Sequence, residues 1–288
     1  MAGKYLPALL LACCAATAQA KEKLTWLLMD WPPFFLMQGD QMVGGVTGDQ
    51  MKMLFARLPE YEHVTQRVSV IRLETELMSN RPVCSMPLQR TAKREPFMLF
   101  SVPMDIGLST RLIVRQDSVS QFGEVPALDL ATVASMPNLH GLVHRSRSYG
   151  PLLDQLFATP SAVPNLQFLA LDSDNILRML DSGRIDYTIE YPLVVRYWES
   201  QQPSTRTPFA SYKLVGNAEF SIGVIACAKT EFGAQAIARI NAALKELFRE
   251  PDYQHSLYQK LSEAELKDFQ HYWQKYILEQ SPLLPSTP

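Results

Sequence analysis

Residues 167–191 read QFLALDSDNILRMLDSGRIDYTIEY. The apolar run over 167–171 has strand character and stops at Asp172-Ser173-Asp174. Aspartate and serine open helices well, because a side-chain oxygen accepts from the free N–H groups of the first turn. Beyond them Ile176, Leu177, Met179 and Leu180 form an apolar face, and Gly183 stands where a left-handed residue ends a helix. A second strand follows as Ile185-Asp186-Tyr187-Thr188-Ile189, closed by Glu190-Tyr191-Pro192. Strand, short helix and strand in succession make a crossover unit, and such units build parallel sheets covered by helices.

The same rhythm precedes this unit. Residues 24–29 (LTWLLM) read as a strand running into Asp30-Trp31-Pro32-Pro33, where two prolines forbid both ladder and helix. After a Gly-rich turn, Asp49 fits an N-cap for a helix whose Met51, Leu54, Phe55 and Leu58 share one face and which Pro59 stops. Residues 66–71 (QRVSVI) alternate as a strand, 74–79 make one or two helical turns, and 83–86 form another strand. A strand over 108–115 leads into the Ser/Gln/Gly/Pro-rich stretch 116–127, a composition shift that marks a boundary. Beyond it come a strand over 139–144 and a helix from Ser148 or Tyr149 to Phe157. The chain returns through a strand over 219–228 to a long helix with Ile237, Ile240, Leu244, Leu247 and Phe248 on one side. A capping box, Ser262-x-x-Glu265, announces the last helix.

This order implies an α/β protein of two lobes, each a mostly parallel sheet covered by helices. Lobe 1 takes residues 21–110 and 215–288, and lobe 2 takes 111–214. Two strand-like crossings between lobes imply a cleft with hinge motion. In open α/β sheets ligands bind beyond the carboxyl ends of strands. That rule nominates residues 30–33, 88–94 and 190–192.

The first twenty of the 288 residues stand apart from this pattern. MAGKYLPALLLACCAATAQA has one basic residue, a short apolar run and a small-x-small exit, the layout of a secretory signal peptide cleaved after Ala20. Leu10-Leu11-Ala12-Cys13 loosely resembles a lipoprotein box, and is set behind simple cleavage because Ala18-Gln19-Ala20 offers the cleaner exit. No later stretch reaches the about 20 apolar residues of a membrane-spanning helix. The expected product is exported and soluble. Without the leader the chain carries 26 basic and 29 acidic side chains, net −3, which offers no nucleic-acid footprint. Cys84 and Cys227 remain, and an oxidising compartment would allow them to pair.

Several chemistries lack their residues. The five histidines show no metal spacing, and there is no HExxH, GxSxG, P-loop or dinucleotide fingerprint, so no cofactor is expected. Four features carry alternatives instead. Arg94 either pairs with Glu95 or another surface acid, or presents its planar fork to a carboxylate. Trp31 either anchors a core or loop, or walls a ligand pocket. Asp186 and Glu190 are either a solvent-facing pair, or a carboxylate awaiting an ammonium or hydroxyl. Arg145-Ser146-Arg147-Ser148 is either a basic turn or an anion site before a helix.

Four stretches together resemble the bacterial extracellular solute-binding proteins of family 3, the periplasmic amino-acid-binding type. They are DWPPFF with GGVTGDQMKMLFARL, then LQRTAKREPFMLFSVP, LDSDNILRMLDSGRIDY and FSIGVIACAKTEFGAQAIARINAAL. The second and third are the most specific, supplying Thr91, Arg94, Phe100, Ser101 and Pro103, then Gly183, Arg184 and Asp186. The resemblance implies the two-lobed type II periplasmic-binding fold closing on a small ligand. It assigns the ligand's α-carboxylate to Arg94 and a packing face to Trp31. It places first-lobe contacts at Leu88, Gln89 and Arg90, a second-lobe anion turn at Arg145-Ser146, and the amine site at Glu190 or Tyr191. Gln89-Arg90 and Arg145 depart from the small residues usual there, and Arg90, Arg145 and Arg147 add positive charge near the cleft.

The function these readings imply is capture of a small carboxylate-bearing solute, an amino acid or related anion, by a monomer that delivers it to an ABC-type permease in the inner membrane. Arg94, Trp31, Glu190, Tyr191, Ser146 and Ser148 would hold the ligand with Gln89 and Arg90. A ligand-sensing role beside a receptor uses the same cleft. An enzyme acting on a small carboxylate would need a general acid such as Glu190 or Asp186, without a discernible nucleophile, base and orienter.

Overall fold

A computed structural model describes residues 21–203, 206–258, 261 and 263–279. The leader with Cys13, the residue Ser262 and the proline-rich end lie outside the described residues. The first part of the chain gives β1 (Glu22–Leu28), the hairpin β2 (Leu36–Gln38) and β3 (Gln41–Gly44), and α1 (Val46–Ala56). Then come β4 (Tyr61–Arg67), α2 (Val70–Leu77), β5 (Val83–Leu88) and β6 (Met98–Leu108). The middle part gives β7 (Arg111–Arg115), β8 (Ala127–Leu128), α3 (Leu130–Ala134), β9 (Gly141–His144) and α4 (Pro151–Phe157). It continues with β10 (Leu166–Leu169), α5 (Ser173–Asp181), β11 (Tyr187–Glu190), α6 (Pro192–Ser200) and β12 (Phe209–Leu214). The return is β13 (Phe220–Ala228), α7 (Glu231–Leu247), α8 (Pro251–Tyr258) and α9 (Glu263–Trp273), which runs on as a π-helical turn over Gln274–Leu278.

Two lobes result. One sheet has the order β4-β1-β5-β13-β6 and the other β10-β9-β11-β7-β12-β8. In each, the βα units pair parallel (β1 with β4 and β5, β9 with β10 and β11), while β13 and β7 join antiparallel. The chain crosses between sheets twice, from β6 to β7 and from β12 to β13. The crossings are tied side by side, since Ser109 N donates to Glu219 O at 3.0 Å and Asn217 Nδ2 to Thr110 O at 3.1 Å.

The unit at 167–191 forms as its residues dictate. Asp172 Oδ1 accepts from Asn175 N at 2.8 Å, and Ile176, Leu177 and Leu180 are buried. Elsewhere several boundaries shift: the strand expected over 108–115 breaks at the crossing, the helix expected from 148 or 149 begins at Pro151, and three further cases have clear local causes. The first helix begins before Asp49, at Val46, because Gly45 at φ 109° turns the chain into it. Its free N–H groups find backbone acceptors: Val46 N donates to Pro33 O, and Thr47 N and Gly48 N to Phe34 O. A side chain at Gly45 would meet Phe34 O at 2.3 Å, so the close approach requires glycine. Residues 66–71 divide, with the strand ending at Arg67 and Ser69 capping α2 through Arg72 N. Pro192 does more than end a strand, since at the first turn of α6 its missing N–H costs nothing.

Cys84 and Cys227 face each other across the β5–β13 pair in the middle of the lobe 1 sheet and form a disulfide, both fully buried. It closes a loop of 143 residues that contains the whole second lobe. In the chain-entropy picture, a loop of this length removes much freedom from the unfolded state. The double substitution Cys84→Ala/Cys227→Ala is expected to lower unfolding free energy by about 2–5 kcal/mol. Urea denaturation of the oxidised protein and of the double variant measures it.

Candidate ligand-binding site

A cleft of about 750 Å³ lies between the lobes, lined from both sides. All three nominated strand ends reach it. Asp30 and Trp31 follow β1, Leu88 ends β5 with Gln89 and Arg94 after it, and Tyr191 follows β11. The end of β4 contributes as well, through Arg67, Val68 and Ser69 at the start of α2. The lobes touch across the rim of the cleft. Gln89 Nε2 donates to the Tyr191 hydroxyl at 2.9 Å, and Arg196 Nη1 of α6 reaches Glu265 of α9 at 3.1 Å. Trp31 and Phe34 of lobe 1 pack on a lobe 2 cluster that includes Ile176, Leu177 and Trp198.

At the centre of that contact is Arg147. Its guanidinium makes a bidentate pair with Glu190, Nη1 to Oε2 at 2.8 Å and Nη2 to Oε1 at 2.5 Å. Three rings surround it, with centroids 4.6 Å away for Trp31, 4.8 Å for Tyr149 and 4.9 Å for Tyr191. Glu190 is 4 % exposed and also accepts from Ser173 Oγ at 2.6 Å and Tyr191 N at 2.8 Å. The chain therefore supplies from within the cation that Trp31 faces and Glu190 holds. Burial raises the hydroxyl pKa values of Tyr149 and Tyr191. It lowers the pKa of the His144 imidazole, with Arg147 adding to the effect.

The other named residues separate. Arg94 is 5 % exposed and lines the cleft, with Nε and Nη2 donating to Glu74 Oε1 at 3.1 and 2.9 Å and Nη1 to Gln89 O at 3.0 Å. A guanidinium carries five N–H donors, so Arg94 keeps one further N–H on each terminal nitrogen. Arg90 lies in solvent against Glu95 at 2.9 Å and does not line the cleft. Arg145 donates from Nε to Phe168 O at 3.2 Å, away from the lining. Ser146 is also outside it, with its N–H given to His144 Nδ1. Ser148 does line it, its hydroxyl donating to Asp154 at 2.5 Å. Asp186 accepts from His140 N at 2.8 Å at the opposite end of β11 from Glu190.

Every arginine lining the cleft is paired. Arg67 meets Asp30 at 3.0 Å, Arg72 meets Glu76 at 3.3 Å, Arg94 has Glu74, Arg147 has Glu190, and Arg196 has Glu265. The positive excess expected from Arg90, Arg145 and Arg147 is therefore not delivered to the cleft. Sequence reasoning took Arg147 as part of a basic turn or anion site before a helix and as positive charge near the cleft, not as half of a buried pair. The signal was its neighbour Tyr149, since an arginine flanked by aromatics is a candidate for a stacked, buried guanidinium. Removing one member of a buried pair strands the other charge, so Glu190→Gln should lower stability by roughly 3–5 kcal/mol, and Arg147→Met with Glu190→Gln by less. Equilibrium unfolding of both variants checks this ordering.

No family model matches the sequence. No curated protein matches it either. Solved structures do. One comes from work on glutathione import in Gram-positive bacteria via GshT and the cystine ABC importer TcyBC of Streptococcus mutans. It is 15% identical, covers 89% of this chain and 95% of its own, and has a TM-score of 0.63. A histidine kinase sensor domain with similarity to periplasmic binding proteins is 16% identical over 84% of this chain and 96% of its own, TM-score 0.66. An ancestral arginine-binding protein bound to arginine is 17% identical over 85% of this chain and 100% of its own, TM-score 0.63. At these identities the likeness establishes the fold: the chain has the two-lobed architecture of periplasmic-binding-protein-like domains, which importer and sensor structures share.

Proposed function

We propose that this chain is an extracellular solute-binding protein that captures a small carboxylate-bearing solute, an amino acid or related anion, and delivers it to an ABC-type importer. The observation that carries this reading is the cleft itself. It has the volume of a small-molecule site, lies at the carboxyl ends of strands from two lobes, and is bounded by paired crossings that permit opening. Lobe 1 spans 21–110 and 215–288 in this proposal, and lobe 2 spans 111–214. The leader directs export to the periplasm, and the buried disulfide suits that compartment. The fold neighbours include a structure from work on glutathione import via GshT and a cystine ABC importer, and an arginine-bound protein, which supports a solute of this size and class.

Arg94 is the carboxylate contact. Its two remaining N–H groups meet the ligand while Glu74 fixes the plane of the fork. Glu74 also shares the positive charge, so binding rests on directed hydrogen bonds more than on net attraction. Ser69 and the start of α2 border the same wall and add backbone N–H donors. Trp31, Gln89, Ser148 and Tyr191 form the remaining walls, with Glu190 acting through Arg147. The protein works as a monomer and without a cofactor. A sensing role, in which the closed form signals to a receptor instead of a permease, is the second reading. It is favoured by the sensor-domain neighbour.

Binding without turnover is the outcome expected when amino acids, dicarboxylates and small peptides are screened by thermal shift and calorimetry. A ligand that binds only the folded state raises its melting temperature. Arg94→Gln in a Glu74→Gln background, which leaves no stranded charge, should weaken that ligand by roughly 10- to 100-fold, the value of one or two charge-assisted hydrogen bonds. Unchanged affinity would remove Arg94 from the site. Turnover of a carboxylate would replace binding with catalysis.

A further inference from the structure

Two acids lining the cleft meet no cation among the described residues: Asp172, which caps α5, and Asp105. Asp105 sits on β6, four residues before the crossing at Ser109, among the residues lining the cleft. Met104, Ile106 and Leu108 on the same strand belong to the lobe 1 core, the last two also bordering the cleft. Across the strand pair lies Gly223, where a Cβ would fall 1.9 Å from Asp105 Oδ1. The carboxylate therefore lies over the β13 backbone in space that only glycine leaves, and accepts the Gly223 N–H. The β6–β13 register shifts beside this residue pair. Such irregularities re-aim side chains next to sites.

The remaining charges of the cleft are accounted for. Asp30 pairs with Arg67, Asp172 caps α5, and each arginine has its carboxylate. Among the described residues no cation pairs with Asp105. Burial raises its pKa from 3.8 to about 6, with the Gly223 N–H pulling the other way. The groups packed around it do not neutralise it. Pro87 of β5 and Gly223 and Ser221 of β13 carry no charge, and Tyr253 of α8 gives its hydroxyl proton to Met104 O. A carboxylate kept desolvated beside an open cleft, with its partners limited to one N–H, has acceptor capacity left for a ligand.

We propose that Asp105 anchors the cationic group of the bound solute, a protonated amine, ammonium or guanidinium, so that the cleft selects molecules carrying a basic group over their neutral or deaminated counterparts. This rests on the solute-binding reading and deepens it. The amine anchor is then at the floor of the cleft, on the strands leading into the crossings, while Glu190 stays occupied by Arg147. A ligand cation beside Asp105 favours its ionised form, so binding releases a proton near pH 6 and weakens as pH falls below it.

The test compares wild type with Asp105→Asn, which keeps size and the bond from Gly223 N–H. Calorimetry at pH 7.5 uses three sets of probes: common L-amino acids, the hydroxy or deaminated acids of the same skeletons, and short diamines. The expected result is binding of amino compounds to wild type, weaker by roughly 10- to 100-fold in Asp105→Asn. Equal affinity of wild type and Asp105→Asn for an amino compound overturns the assignment and leaves solute capture standing. Preference for deaminated acids in both proteins does the same. Binding of none of the probes overturns solute capture of this class and the anchor with it. A ligand-free readout is independent of the probes. Because the folded pKa of Asp105 lies above its unfolded value, wild type loses stability as pH rises from about 4 to 6, when the half-buried acid must ionise. Asp105→Asn should match wild type below pH 4 and melt higher above pH 6, and coincident curves would show that Asp105 is not held desolvated.

Discussion

The Arg147–Glu190 pair fixes how the two lobes meet. A guanidinium and a carboxylate taken out of water each lose several kcal/mol of solvation, and only tight geometry with further hydrogen bonds offsets it. Glu190 meets that condition through Ser173, the Tyr191 N–H and both terminal nitrogens of Arg147. Arg147 meets it through three ring faces, one of which, Trp31, belongs to the other lobe. The pair is thus complete only while Trp31 is in place. Opening the cleft would expose one face of a stacked cation, so the electrostatics of lobe 2 are coupled to lobe contact.

This arrangement changes what the remaining cleft can recognise. A cleft lined by unpaired arginines would attract anions from a distance and hold them by charge. Here each arginine is neutralised by a neighbouring acid, and the fixed forks act as oriented donors in a partly dry space. Directed donors discriminate by geometry, while net charge sets steering and on-rate. Pre-pairing therefore trades long-range attraction for a defined shape. Asp105 differs, since it meets neither a cation nor a helix start, and such a charge has more influence on selectivity than any of the paired ones.

Much of this was legible in the sequence, and the part that was not has a common physical cause. The crossover units, the two lobes and the strand ends that border the cleft follow from local patterns: Asp172 before an apolar face, Gly183 after it, Pro32-Pro33 after a strand. The start of α1 was misplaced because its cap is supplied by distant backbone. Phe34 O serves α1, which no side-chain signal at residue 45 or 46 reveals. The charges of the site were less legible because pairing is a tertiary property. Arg94 finds Glu74 twenty residues earlier, and Arg147 finds Glu190 forty-three residues later. A carboxylate within the apolar run VPMDIGL was the one local sign of Asp105, and an apolar strand reads first as core.

The position of Asp105 gives ligand charge a mechanical consequence. β6 and β13 lead into the two crossings, which are held together by the Ser109–Glu219 and Asn217–Thr110 hydrogen bonds. A group bound at the mouth of the cleft would be contacted by whichever lobe is nearest. A group bound on these two strands stays in contact whether the lobes are open or closed, because the strands lie beside the pivot. The cationic end of a ligand can therefore dock first, in the open form, and the rest of the ligand is enclosed afterwards by the lobe contact built around Arg147, Trp31 and Tyr191. Closure then discriminates by the shape of that remainder, since the charge is already satisfied before Gln89 and Tyr191 meet across the rim.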